Sequence, residues 1–425
     1  MKNIIKKIMP DFLLNYYHAM WPFFGAFIYR YPSRKLKLIG ITGTNGKTTS
    51  VHIASHILEK AGFKVASISS LRFKIREHEW PNKLKMTMPG RMKLQKFLHR
   101  ALKAGCDYAI IEVTSEGIKQ NRHLFLKFDT AVFTNLTPEH IESHGSFEKY
   151  KETKGRFFTL PHRSSVVNID DKYGEYFLDF SAREKIAYTL VEQLEENKEN
   201  INTTILAENA RANVSGISFN LEGREFQLPM LGKFNIYNTL AAIGIAASQG
   251  ISFEKIHEAL SDFSGVSGRL EVVINDPFTV IVDYAHTPDA LEKAYKAVVD
   301  LKKEGSRVIG VLGAAGGGRD KWKRPELGKL AAKYCDEIIL TDEDPYSEDP
   351  ASILSDIEAG FTGNINYEKI IDRRKAVAKA LKKAQNNDIV IITGKGAEPL
   401  MITAKGPIDW DDRQIVKEEY NKIHD

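Results

Sequence analysis

The stretch Gly43-Thr44-Asn45-Gly46-Lys47-Thr48-Thr49 follows directly on the apolar run Lys37-Leu38-Ile39-Gly40-Ile41. A strand, a glycine-punctuated loop and an incipient helix in that order form a phosphate cradle. The glycines let backbone N–H groups approach phosphate oxygens. Lys47 has the length to reach β- and γ-phosphates, and the Thr48 hydroxyl can hold Mg2+. The loop therefore proposes a nucleoside triphosphate and an energy-consuming reaction. Its spacing departs from the general phosphate-loop pattern: the first glycine falls due at Ile41, which Gly40 and Gly43 flank.

From residue 36 the chain alternates short β-rich runs (36–42, 64–70, 108–113, 129–134, 164–168) with helical ones (47–61, 91–104, 146–159, 171–180). That is the βαβ rhythm of a mainly parallel, doubly wound sheet. Residues 213–229 break it with a hairpin signal around Leu221-Glu222-Gly223-Arg224, and a long helix is predicted over 235–249. A second series starts near 270, with strands at 270–274, 278–283, 307–312, 337–341, 367–371 and 388–393 and helices at 288–303, 324–335, 350–359 and 372–385. The small-residue stretch Ser264–Gly268 reads as the hinge between them. The expected fold is α/β: a central P-loop ATPase domain (36–267) and a C-terminal Rossmann-like α/β domain (268–425), preceded by an N-terminal segment (1–35).

Apolar and charged contents of 43% and 27% describe an ordinary soluble protein. Cys106 and Cys335 stand far apart and form no metal- or redox-type pair, which fits a reducing cytoplasm. Of the net charge of +5, residues 1–38 carry +6, so the remainder is near neutral and no broad nucleic-acid surface is expected. Residues 12–29 are almost wholly apolar and aromatic, with Asp11, Asn15, His18, Pro22 and Gly25 forming one polar or small stripe and Lys6, Lys7, Arg30 and Arg34 at the flanks. A signal peptide is disfavoured by the missing cleavage site, and a spanning helix by Pro22 and the stripe. Two readings stay open: a helix packed on the first domain, or a peripheral membrane contact by residues 1–30 at the inner membrane face.

Further strings line up behind the loop: Glu-Val-Thr-Ser (112–115), Thr-Asn-Leu-Thr-Pro-Glu-His (134–140), Tyr-Lys-Glu-Thr-Lys (150–154), Asn-Ile-Tyr-Asn (235–238), Gly-Arg-Leu-Glu (268–271), Asp-Tyr-Ala-His-Thr-Pro (283–288) and Gly-Lys-Gly-Ala-Glu (394–398). In this order, from about residue 36 to the C-terminus, they resemble the Mur ligase family, ATP-dependent amide-bond ligases of peptidoglycan precursor synthesis. The similarity is greatest to the branch that adds the third amino acid of the stem peptide. The resemblance implies that ATP phosphorylates a carboxylate of a muramoyl-peptide precursor, and that the amino group of an amino acid then attacks, releasing ADP and phosphate. Cations and donors must already face the charge that develops.

The resemblance assigns residues to roles. Gly43 to Thr49 would hold ATP phosphates, with Thr48 on Mg2+. Glu112 and His140 would serve a second Mg2+ together with Lys154, whose position matches the family's carbamylated lysine. Alone, Lys154 reads as solvated surface and His140 as a loop histidine. A carbamate suits Mg2+, which prefers oxygen ligands and repels an ammonium. Asn235 and Asn238 resemble the adenine-side contact (a helix cap is the other reading of Asn235), Asp283 the ribose contact, and Arg269 would reach phosphate once the domains close. Thr87, Thr114, Ser115, Gln120 and Arg122 match acceptor-binding positions.

Two features depart from the family. The N-terminal domain that grips UDP is expected to be missing, so a lipid-linked precursor is an alternative acceptor. The selectivity string Asp-Asn-Pro-Arg, used for diaminopimelate, reads Glu343-Asp344-Pro345-Tyr346. Tyr346 cannot replace the arginine fork and Asp344 favours a cationic side chain, which leans toward lysine or ornithine. Arg319 or Lys323 can compensate in favour of diaminopimelate, with Gly394 and Glu398 also at the amino acid. A polyglutamate-forming ligase and, from another class, a nucleotide-driven ATPase switch are the competing readings.

Overall fold

The computed structural model describes residues 11–424 apart from 85, 91 and 192–200, so Lys6 and Lys7 lie outside the described residues. The first sheet contains β1 (Lys37–Thr42), β2 (Val65–Ile68), β3 (Arg72–Ile75), β4 (His78–Pro81), β5 (Tyr108–Glu112), β6 (Thr130–Phe133), β7 (Ser164–Asn168), β8 (Glu184–Thr189) and β9 (Thr203–Leu206). Their order is 4-3-2-5-1-6-7-8-9, parallel from β2 to β9, with β3 and β4 antiparallel at one edge.

Alternation along the central strands sends side chains to two separate cores. Ile39, Ile110 and Val132 pack under the helices Lys47–Lys60 and Phe234–Ser248, whereas Leu38, Ile111 and Phe133 join Leu98, Phe157 and Phe177 on the opposite face. With both faces covered, β1 reads as a continuous apolar run. Ile41 belongs to that strand and is buried, so the loop proper begins at Gly43.

β10 (Glu208–Asn213), β11 (Gly216–Leu221) and β12 (Arg224–Leu228) form a small antiparallel sheet containing the expected hairpin. A second sheet then forms from β13 (Glu271–Ile274), β14 (Thr279–Val282), β15 (Val308–Leu312), β16 (Glu337–Leu340), β17 (Tyr367–Lys369) and β18 (Ile389–Ile392), in the order 13-14-18-15-16-17. All but β13 run parallel. The carboxyl ends of β14, β15, β16 and β18 carry the segments at 283, 313–323, 341–346 and 393–398.

Several elements differ from the sequence expectation. The helix expected at 171–180 shrinks to Gly174–Leu178. The Asp171 carboxylate accepts from the amides of Tyr173 (2.9 Å) and Leu136 (3.0 Å), which holds the preceding residues in a turn. The β3–β4 hairpin, β8, β9, the hairpin of β19 (Leu400–Thr403) and β20 (Gly406–Asp409), and the helices Phe253–Leu260 and Asp412–His424 were not separable in the sequence. These strands, apart from the six-residue β8, are only four residues long, too short for an alternating period to stand out.

The helix Asp11–Ile28 packs on the helix Lys93–Lys103. A Cβ at Gly25 would lie 3.2 Å from the Gln95 side chain and the Met92 backbone. The packed reading therefore holds for one face of this helix. No helix among the described residues is long and apolar enough to cross a membrane.

Arg373 braces the second sheet. Its guanidinium donates to both oxygens of Asp412 (2.9 and 2.7 Å), to the Thr393 carbonyl (2.8 Å) and to the Asp342 carbonyl (3.1 Å), and both charged side chains are fully buried. It thereby ties together the ends of β16 and β18. Arg373→Ala leaves Asp412 buried and unpaired and should cost about 3–5 kcal/mol of stability, read by urea unfolding.

Candidate active site

A cavity of about 390 Å³ opens at the carboxyl ends of β1, β5 and β6, where strand order reverses around β1. The loop 43–49 forms its floor and the helix Lys47–Lys60 starts there, aiming unpaired amides into it. Gly43 (φ +148°) and Gly46 (φ +84°) are required: an added Cβ would come within 2.0 Å of Thr134 Oγ1 at the first and 2.1 Å of Asn238 Oδ1 at the second. Asn135, which the sequence reading passed over, shapes the loop by accepting from the Asn45 amide at 2.9 Å. Lys47 Nζ donates to the carbonyls of Gly43 (2.9 Å) and Thr44 (2.7 Å). Thr49 is buried at the start of the helix and also lines the cavity.

Lys154 is no surface lysine. It is buried, and its Nζ donates to the same Gly43 carbonyl at 2.8 Å. Burial, and then the neighbouring Lys47, hold its amine well below the usual lysine range. Glu112 closes β5 and is buried; its Oε1 accepts from Thr48 Oγ1 (2.7 Å) and the Ser70 amide (2.8 Å). His140 sits in a left-handed conformation (φ +57°) at the cavity wall. Burial, Arg319 and Lys154 depress its pKa to about 3, so the imidazole stays neutral with a lone pair available.

Among the described residues no three His, Cys, Asp or Glu side chains converge as a ready metal cage. The donors present nevertheless suit Mg2+, which binds through one or two carboxylates plus phosphates and water. Thr48 and Glu112 already share a hydrogen bond. Glu139, beside His140, is buried and lines the cavity with an Oε2 that has no hydrogen-bond partner among the described residues. Glu139 was missed because a glutamate in a loop before a histidine gives no sign of burial.

The second sheet closes the cavity. Arg269 Nη2 donates to Thr48 Oγ1 and Ser70 Oγ (both 3.2 Å), and its guanidinium stacks 4.2 Å from the Tyr284 ring centroid. Asp283 lines the cavity, and its oxygens accept from the amides of Leu270 (2.7 Å) and Ala285 (2.8 Å). Asn238 reaches the cavity, but Asn235 does not. Asn235 accepts from Asn238 Nδ2 and donates to the Leu231 carbonyl, both at 2.8 Å, so it positions its neighbour. Thr87, Thr114 and Ser115 line the cavity, and Thr114 also caps the helix Ser115–Lys119. Gln120 and Arg122 lie outside it. Arg122 donates to Gln120 Oε1 (2.6 Å) and to the Met88 carbonyl, pinning the loop that carries Thr87.

A smaller second cavity adjoins the first and shares Thr87, Tyr284, His286 and Arg319 with it. Tyr346 and Glu398 line it, and Glu398 accepts from the Tyr284 hydroxyl at 3.0 Å. Asp344 lines it too, but its carboxylate is engaged by the buried Lys395 (3.1 Å) and the Ile402 amide (2.7 Å). The free acid is its neighbour, Glu343, which is buried and whose Oε2 has no hydrogen-bond partner among the described residues. Burial, then Asp344, push the Glu343 carboxyl up to about 7. Gly394 (φ +106°) stands against Glu343, at a distance of 2.5 Å from its Oε2 to an added Cβ.

Comparison with known proteins resolves the family. Residues 41–246 match the Mur ligase middle domain, and residues 268–396 match the Mur ligase glutamate ligase domain. A UDP-N-acetylmuramoyl-L-alanyl-D-glutamate–2,6-diaminopimelate ligase of Clostridium acetobutylicum is 37% identical over 93% of this chain and 80% of its own length. The chain belongs to the Mur ligase family. It is thus an enzyme of the ATP-dependent acid–amino-acid ligase class. A UDP-N-acetylmuramyl-tripeptide synthetase of Roseiflexus sp. is 36% identical over 93% of this chain and 80% of its own. Among solved structures, a UDP-N-acetylmuramoyl-L-alanyl-D-glutamate–2,6-diaminopimelate ligase aligns with a TM-score of 0.63 at 28% identity, covering 94% of this chain and 82% of that one. Folylpolyglutamate synthase of Mycobacterium tuberculosis shares the fold, at a TM-score of 0.70 and 17% identity over 88% of this chain and 92% of that one.

Gly46→Ala places a Cβ against Asn238 and a side chain in a left-handed conformation. The strain of about 1–3 kcal/mol should weaken ATP binding roughly tenfold or more in an equilibrium titration and lower the unfolding free energy by a similar amount in urea.

Proposed function

We propose that this ligase joins an amino acid to the free carboxylate of a muramoyl-dipeptide acceptor. The observation that carries the reading is the meeting, in one cavity, of the phosphate loop, the Thr48–Glu112 pair and two lysines on a single carbonyl oxygen. An acceptor carboxylate oxygen attacks the γ-phosphorus and ADP leaves. The amino group then attacks the acyl carbon, inorganic phosphate leaves, and the nitrogen loses a proton. Lys47, Arg269 and the loop amides face the charge that builds on phosphoryl oxygens. Thr48 would hold one Mg2+, and Glu112, hydrogen-bonded to Thr48, would hold a second with His140 and Lys154. Lys154 is suited to carbamylation because its depressed basicity leaves a neutral amine to add CO2. Thr87, Thr114 and Ser115 would hold the acceptor, with Gln120 and Arg122 behind them. Asn238 and Asp283 would hold the nucleoside. We divide the chain at residue 268 and place its work in the cytoplasm, with residues 1–30 toward the inner membrane face.

Several of the relatives' names specify 2,6-diaminopimelate. For this chain we infer a diamino acid, lysine-like or diaminopimelate, with Glu343 taking the distal ammonium that both share and Arg319 offering a cation to a carboxylate. Asp344 is already engaged by Lys395, so the expected cation selectivity passes from Asp344 to Glu343.

Phosphate release over lysine, ornithine and meso-diaminopimelate, with the UDP-linked dipeptide, tests this reading. Activity with a diamino acid supports it, and equal rates with alanine overturn it. The KM for the amino acid should fall as pH rises through about 7, where Glu343 becomes anionic and attracts the ammonium. Glu343→Gln should abolish that dependence. Lys47→Ala should cost about 3–4 kcal/mol of transition-state stabilisation in kcat/KM. Lys154→Ala should be inactive and partly rescued by short carboxylates.

A further inference from the structure

The helix Asp11–Ile28 is built inside out. Its protein-facing side carries the small residues Pro22, Gly25 and Ala26. Its solvent side carries Tyr16, Phe23, Phe24, Phe27 and Ile28, of which Tyr16 and Phe27 are each 68% exposed. Positions 16, 20, 23, 24 and 27 fall on one helical face, the reverse of an ordinary surface helix, whose apolar stripe turns inward. Phe125, itself exposed, extends the patch by packing edge-on against Phe23 with ring centroids 5.4 Å apart. Contiguous apolar surface of this kind marks an interaction site.

Charge identifies the occupant. Arg30, Arg34 and Lys35 are exposed just after the helix. Lys2, Lys6 and Lys7 precede it in sequence, and Asp11 is the single acid among residues 1–38. A second copy of the chain would bring this +6 segment against its like. Aromatic rings on one face with basic residues at both ends match an anionic bilayer surface, where rings settle at headgroup depth and cations meet lipid phosphates. The helix, about 27 Å long, is not long and apolar enough to span a membrane, so a contact of this kind would run along the surface.

We propose that the exposed face of Asp11–Ile28 docks the enzyme on anionic phospholipid. Packing on Lys93–Lys103 makes this a rigid attachment. The chain enters β1 nine residues after Ile28, so docking fixes the orientation of the phosphate-loop sheet relative to the bilayer.

The test is flotation of the full chain with vesicles of phosphatidylcholine, with and without phosphatidylglycerol, beside a Phe24→Ser/Phe27→Ser variant that leaves the active site untouched. The full chain should float with phosphatidylglycerol vesicles only. The variant should lose about tenfold in binding while its ligase rate on a soluble acceptor is unchanged. No flotation of the full chain, or equal flotation of the variant, overturns the proposal. So does a dimer in sedimentation that the variant converts to monomer, because a second copy would then cover the face.

Discussion

Two buried amines compete for one carbonyl oxygen. Lys47 and Lys154 both donate to the Gly43 carbonyl, at 2.9 and 2.8 Å. Burial first, and then repulsion from the neighbouring Lys47, hold the basicity of Lys154 well below the usual lysine range. Negative charge in the cavity would relieve the conflict, whether from phosphate oxygens against Lys47 or from the proposed carbamylation of Lys154. The site is therefore preorganised for anions before any reaction begins.

The geometry behind that conflict rests on close backbone approach. Gly43 and Gly46 bring the loop against Thr134 and Asn238, where no side chain fits. Contacts from the second sheet then close the pocket. The buried pair Lys323–Glu139 spans the halves at 3.1 Å. Asp320 accepts from the amides of Ile141 (3.2 Å) and Glu142 (3.1 Å), directly after His140. The segment that would handle the amino acid is thereby fastened to the one that would handle metal. Such closure keeps an acyl phosphate from water.

Much of this was legible in sequence because local chemistry announced it. The loop, Glu112 at a strand end and the βαβ rhythm each carry their own signal, and the ordered strings carry the family. Partnership was not legible. Asp344 looked like the selective acid, yet Lys395 engages it, and it is Glu343 whose Oε2 has no hydrogen-bond partner among the described residues. Asn235, Gln120 and Arg122 looked like ligand contacts, yet they hold Asn238 and the Thr87 loop. Glu139 and the inverted helix face depend on which side of an element meets the core, a property of tertiary packing that residue type alone does not encode.

The central claim is that an acceptor carboxylate is phosphorylated in this cavity before amide formation. Supplying the acceptor with an 18O-labelled carboxylate and analysing the released phosphate by mass spectrometry tests it most directly. The account predicts that the phosphate carries a single acceptor-derived 18O, because the bond broken on amine attack joins the acyl carbon to that oxygen. Phosphate free of label, formed alongside amide product, would contradict it.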